Sequence, residues 1–132
     1  MATKEMCDAC HEHSLERIKK MAGVEVGEDW PAFSVEFWLK DLNLGYYFEF
    51  EEEGKLAKHE TITGQPVPAT AIVTMTSDDY VGQIAQEISL MEKYFSGELS
   101  IKGDVTALQR FSAFADFEPY YPPGHPKYKG AK

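Results

Sequence analysis

The sequence is short of basic charge, of cysteine and of long apolar runs, and each shortage removes a class of function. Thirteen Lys and Arg stand against 22 Asp and Glu, a formal net charge of −9 over 132 residues. A protein that grips nucleic acid needs basic side chains to displace phosphate counterions, so no nucleic-acid partner is expected. The same deficit argues against an electrostatic hold on anionic lipid and leaves transient membrane contact at most. No apolar run approaches the roughly 18 to 20 residues that cross a bilayer. The first ten residues are polar and lack the apolar stretch of a secretory signal, so a cytoplasmic location is expected. The length predicts a single domain.

Catalytic signatures are missing as well. There is no glycine-rich phosphate loop, no Gly-x-Ser-x-Gly elbow and no His-Glu-x-x-His. His59 and His125 are isolated along the chain, and the adjacent carboxylates Asp78 and Asp79 sit at a helix start, where capping and the helix dipole account for them. The expectation is a protein that is not an enzyme, with no catalytic residue, metal or cofactor.

The only cysteines are Cys7 and Cys10, in the run Cys-Asp-Ala-Cys-His. That spacing matches c-type haem attachment, with His13 or His125 as axial partner. A metal site from Cys7, Cys10, His11 and His13 is a second reading, although four ligands inside seven residues do not easily surround one ion. A redox pair is a third, without the βαβ pattern that accompanies it. The plain reading is a frayed, reduced pair near a chain end.

What the chain does have is apolar periodicity. Met6, Leu15, Ile18, Met21 and Ala22 recur at helical spacing and predict an amphipathic helix over 5–22, followed by a loop containing Gly27 and Pro31. The period then drops to two. Phe33, Val35, Phe37 and Leu39 alternate with polar residues, as do Tyr46, Phe48 and Phe50, with a hairpin between. A third strand spans 56–62, and the glutamates of 49–53 read as a solvated strand end. Beyond Gly64, Pro66 and Pro68, a fourth strand places Ala71, Val73 and Met75 on one face. Thr76 with Asp79 marks a helix start. Tyr80, Ile84, Ile88, Met91 and Phe95 form one stripe of a single helix over 79–95, stopped by Gly97. A strand over 98–102 and a helix over 105–114 with Leu108 and Phe111 follow. The Pro-rich tail from Phe117 is expected to be extended. This order predicts an α+β fold with helices on one face of a mostly antiparallel sheet.

The stretch from Met75 to Leu108, MTSDDYVGQIAQEISLMEKYFSGELSIKGDVTAL, resembles the sterol carrier protein type 2 family. Met75 to Tyr80 matches the family's Leu/Met-Ser-Asp-x-Asp-Phe. Tyr94 to Asp104 matches its Ala-Phe-x-x-Gly-Lys-Leu-x-Ile-x-Gly-Asp, with the likeness extending over roughly 30–114. The resemblance implies a five-stranded sheet covered on one face by helices, with an apolar tunnel between the layers. It implies non-covalent carriage of a fatty acid, fatty acyl-CoA, phospholipid or sterol. Expected lining residues are Phe37, Phe48, Val73 and Met75 from strands, and Tyr80, Ile84, Ile88, Phe95, Leu108 and Phe111 from helices.

Three departures from the family pattern stand out. Residues 87–93 carry no Gly or Pro between the central helices, Glu98 replaces a Lys, and the N-terminal cysteine helix is not a family hallmark. The expected layout is therefore an N-terminal helix over 1–23, a lipid-binding domain over 24–116 and a tail over 117–132. The rival reading is a solidly packed interaction module. It would dock on an enzyme or a second copy through exposed Trp38 and Tyr47 and the tail tyrosines Tyr120, Tyr121 and Tyr128.

Overall fold

The computed structural model describes residues 2–21, 31–52, 55–115 and 119–128. Its elements run in the order α1 (Lys4–Met21), β1 (Phe33–Leu39), β2 (Leu44–Phe50), β3 (Leu56–Thr63) and β4 (Ala71–Met75). They continue as α2 (Ser77–Ile84), α3 (Leu90–Phe95), β5 (Ser100–Gly103) and α4 (Val105–Ala115). The expected loop after α1 lies at 22–30, outside the described residues.

The five strands form one sheet in the order β3-β2-β1-β4-β5. Every pairing is antiparallel except β1 with β4, so the expected mostly antiparallel sheet is mixed at its centre. Alternation decides which side chains point inward. The pairs Val35↔Phe48, Phe37↔Tyr46, Phe37↔Val73, Leu39↔Met75 and Val73↔Ile101 stand on one face, and all are buried. Helices α2 and α4 pack onto β1, and α1 packs on both of those helices. The result is the α+β architecture the periodicity predicts.

The opposite face corrects an expectation. Trp38 and Tyr47, expected to be exposed, are 7% and 8% exposed, and Glu36 beside them is fully buried. Only the segment 64–70 connects edge strand β3 to β4. It must cross β2 and β1 to do so, and its Val67 N–H donates to Glu36 Oε1 at 3.0 Å. Ser34 and Thr70 fasten its far end, Thr70 N–H donating to Ser34 Oγ at 2.8 Å. Period two places these residues opposite the inner face without deciding whether solvent reaches them; the path of the crossover past Glu36 follows from strand order, not from local pattern.

The single helix expected over 79–95 is two helices. Thr76 caps the first as anticipated, its hydroxyl accepting Asp79 N–H at 3.2 Å. That helix then ends at Ala85 in a Schellman arrangement, Glu87 N–H bonding Gly82 O at 2.7 Å and Gln86 N–H bonding Gln83 O at 3.0 Å. The position that favours glycine is held by Gln86, at φ 58°. Ser89 starts α3 by accepting Glu92 N–H at 3.3 Å, and the same terminal motif recurs at its end with Gly97 at φ 82°.

The cysteines are not frayed. Cys7 and Cys10 lie within α1 with no solvent exposure, on the face shared with Leu15 and Ile18. The C-terminal segment 119–128 is not helical, but it turns rather than running straight, with His125 N–H on Pro122 O at 2.9 Å and Tyr128 N–H on His125 O at 3.0 Å. It straps the helices: Tyr120 N–H reaches Ile84 O at 3.1 Å, Tyr120 stacks on His13 at 4.2 Å, and His125 meets Glu87 at 3.0 Å. Tyr120 and Tyr121 are half-buried, leaving Tyr128 the exposed tyrosine of this segment.

Candidate functional site

The site is the layer between the inner face of the sheet and the helices. Its centre is Phe111 of α4, which lies with Leu108 on the helical face turned to β1. The Phe111 ring stands 4.9 Å from Phe48, 5.1 Å from Phe37 and 6.1 Å from Phe50. Phe37 also reaches Tyr80 of α2 at 5.9 Å, and Tyr80 stacks on Tyr46 at 5.3 Å. Tilted and edge-on pairs of this kind add about 0.5–1.5 kcal/mol each beyond the area they bury.

Of the residues expected to line an apolar site, Phe37, Phe48, Val73, Met75, Tyr80, Leu108 and Phe111 are buried in one cluster. Ile84 packs at its edge, partly buried. Ile88 lies over Gly82, half-buried. Phe95 is 78% exposed, with Tyr94 as its ring neighbour at 5.5 Å, and does not reach the cluster. The turn at 85–89 explains both: it resets the helical phase, so a stripe drawn through Ile84 no longer passes through Ile88 and Phe95.

Tyr46, Phe50 and His11 join the layer although the sequence reading did not select them. For the first two the signal was present, since they share the parity of Phe48. His11 lies one turn from both Cys7 and Leu15, on the buried face of α1.

The layer has one polar corner, against α1. Tyr46 donates its hydroxyl to Asp8 Oδ1 at 2.7 Å, and Lys4 holds Asp8 Oδ2 at 2.7 Å from outside. His11 stacks on Tyr46 at 4.3 Å and tilts against Phe48 at 5.2 Å. Its ring is 5% exposed, and Nδ1 has no hydrogen-bond partner. Burial lowers the imidazole to about 4; His59 acts in the same direction and Asp8 against it. Burial pushes the Cys7 and Cys10 thiols up to about 12. All three are therefore neutral at physiological pH, and the cysteines act as small apolar packing groups rather than nucleophiles. Among the described residues no group of three or more His, Cys, Asp and Glu could hold a metal ion.

Among the described residues, two surface clefts stand out. One of about 310 Å³ lies at the end of β1 and β2 beside Phe33, Ser34, Glu49, Phe50 and Thr70, so it reaches the Phe50 edge of the aromatic layer. The other, about 320 Å³, lies between α1, α2 and the C-terminal strap beside Met6, Val81, Glu87 and His125. Where the family resemblance implies a tunnel, the rings of Phe37, Phe48, Tyr80 and Phe111 are in contact with one another between the sheet and the helices.

The model of the SCP-2 sterol transfer family matches residues 4–116, a span that takes in α1 as well as the sheet. A crystal structure of sterol carrier protein 2 is similar in fold, with a TM-score of 0.55 at 14% identity over 86% of this chain and 89% of that one. Sterol carrier protein 2 from Aedes aegypti, solved in complex with the C16 fatty acid palmitate, gives a TM-score of 0.55 at 13% identity, covering 87% of this chain and 96% of that one. The inverting sec-alkylsulfatase Pisa1 from Pseudomonas sp. matches at a TM-score of 0.53 and 19% identity over 80% of this chain. This chain spans only 15% of that enzyme's length. No curated protein matches the chain.

Proposed function

The chain belongs to the SCP-2 sterol transfer family, and on that premise we propose that it binds a lipid-like molecule without chemical conversion. The ligand class is fatty acid, fatty acyl-CoA, phospholipid or sterol, held between the sheet and the helices. The observation that carries this reading is the continuous aromatic and aliphatic layer around Phe111, reached by Phe37 and Phe48 of the sheet. Val73, Met75, Tyr80 and Leu108 extend its wall, and Ile84 stands at its rim.

The driving force is burial of an alkyl chain. At about 0.8 kcal/mol per methylene, a 16-carbon chain offers on the order of 10 kcal/mol before the costs of ordering it. Rings now in mutual contact must part to admit it, so loading is coupled to movement of helices that rest on the sheet largely through side-chain packing, with hydrogen bonds from Tyr46 to Asp8 of α1 and from Ser77 of α2 to Asp41 as polar ties. A cytoplasmic location belongs to this reading, and there the buried thiols of Cys7 and Cys10 would stay reduced. No described helix is long and apolar enough to cross a membrane.

The contact between the rings also favours a second reading, a filled core serving an interaction module for an enzyme or a second copy. Mass spectrometry separates the two. Freshly purified protein weighed under native conditions is expected to carry extra mass that is lost on denaturation, or to acquire it on incubation with dodecanol or dodecanoate. The bare polypeptide mass throughout, with neither compound bound, sinks the carrier reading and leaves the interaction module.

A further inference from the structure

Within the proposed lipid-binding layer, on whose reading this inference rests, one polar atom has nothing to bond. His11 Nδ1 is buried against Tyr46 and Phe48, without a partner. Buried hydrogen-bonding atoms are rarely left so, because the lost water is not replaced. Tyr46 and Phe48 belong to the same wall as Phe111 and Tyr80, so an occupant of the layer that reaches α1 meets this imidazole.

We propose that His11 is the polar anchor of the layer, pairing through Nδ1 with an uncharged lipid hydroxyl and selecting such a lipid over the matching carboxylate.

The charges around the ring decide the sign of that selection. The buried polar and charged residues among those described are His11, Ser14, Glu36 and Ser77, none of them a lysine or arginine. The carboxylate that acts on the ring is that of Asp8, tied to Tyr46. Lys4 approaches from the exposed surface and is spent on Asp8. His59 faces the same region from β3, opposite Phe48, but is solvent-exposed. A carboxylate brought to His11 would lose its hydration beside a like charge and gain no buried cation. A hydroxyl carries no charge to desolvate. It also donates and accepts, so it satisfies Nδ1 whichever imidazole nitrogen bears the proton.

Dodecanol and dodecanoate share a chain length and differ in the end group. Their affinities at pH 8 are read by displacement of a fluorescent fatty probe. The unaltered chain is expected to hold dodecanol about tenfold more tightly. His11→Phe keeps the stacking ring, removes Nδ1, and is expected to weaken dodecanol about tenfold, the scale of one buried hydrogen bond, with dodecanoate unchanged. His11→Asn restores a polar atom and is expected to recover part of the preference. Equal affinities in the unaltered chain, tighter binding of dodecanoate, or a preference that survives in His11→Phe overturns the proposal while leaving lipid binding intact. Failure of the unaltered chain to bind either compound overturns the lipid-binding reading itself.

Discussion

The two faces of β1 and β2 are both closed to solvent, yet they are closed by different physics. The inner face buries Val35, Phe37, Tyr46 and Phe48 under helices, through apolar area and ring contacts. The outer face buries Glu36, Trp38 and Tyr47, and the crossover 64–70 is fastened to it by hydrogen bonds that Val67 and Thr70 N–H donate to Glu36 and Ser34. Each side keeps one buried ionisable residue with an unpartnered atom, His11 Nδ1 inside and Glu36 Oε2 outside. Burial alone therefore does not mark a binding layer. An apolar layer whose lid rests largely on side-chain packing opens to an apolar guest more readily than a crossover whose Val67 and Thr70 N–H groups are hydrogen-bonded to strand β1.

Phe111→Ala tests the inner face and carries the largest expected effect. Removing a ring that meets three other rings leaves a cavity at the centre of the layer, and a loss of about 3–5 kcal/mol is expected. That is a large part of the roughly 5–15 kcal/mol that stabilises a domain. Urea unfolding of the variant beside the parent measures it through the shift in midpoint. A loss under about 1 kcal/mol would show that Phe111 is not the keystone its contacts suggest, and the contrast between the faces would collapse.

Acid sharpens the contrast next. The folded value of His11 is lowered to about 4 from 6.5, so the unfolded chain takes up the proton first as pH falls. The stabilising contribution is complete above pH 6.5 and is lost as pH drops through about 4; the difference between the two values is worth about 3 kcal/mol. His11→Phe is expected to remove this part of the acid limb when stability is followed by urea unfolding from pH 7 to 4. An unchanged limb would mean that the ring is hydrated in solution, contrary to its burial.

These two groups also show where sequence reading succeeds and where it stops. The inner strand face was legible because three or four apolar residues alternate on each central strand, and a one-residue slip would turn them all outward. Thr76 with Asp79 located the start of α2 for an equally local reason. The division between α2 and α3 was missed because Gln86 occupies a left-handed position where glycine is the usual sign. Ser89 and Glu92, at capping-box spacing, were the available clue that a new helix begins. Burial of Trp38 and Tyr47 had no local signature, since alternation assigns them to the outer face and says nothing of what covers that face. His11 could be placed on a helical face from its spacing, but its stacking on Tyr46 arises only when α1 docks.

Glu36 offers the finest discrimination between the faces, because its sign is opposite to that of His11. Burial raises its carboxyl above the ordinary value, and the hydrogen bond from Val67 N–H only partly opposes that. For an acid held more weakly ionised in the fold than in the unfolded chain, the contribution to stability is fully present below pH 4.5 and declines as pH rises through the folded value. Glu36→Gln keeps an oxygen for Val67 and removes the charge. The variant should match the parent near pH 4.5 and exceed it at pH 8 by about 1 kcal/mol, the scale of one poorly satisfied buried polar group. Unfolding curves at the two pH values give the answer. If the variant is less stable than the parent at pH 8, the ionised carboxylate is itself the fastening of the crossover, and the outer face is held by charge rather than merely tolerating it.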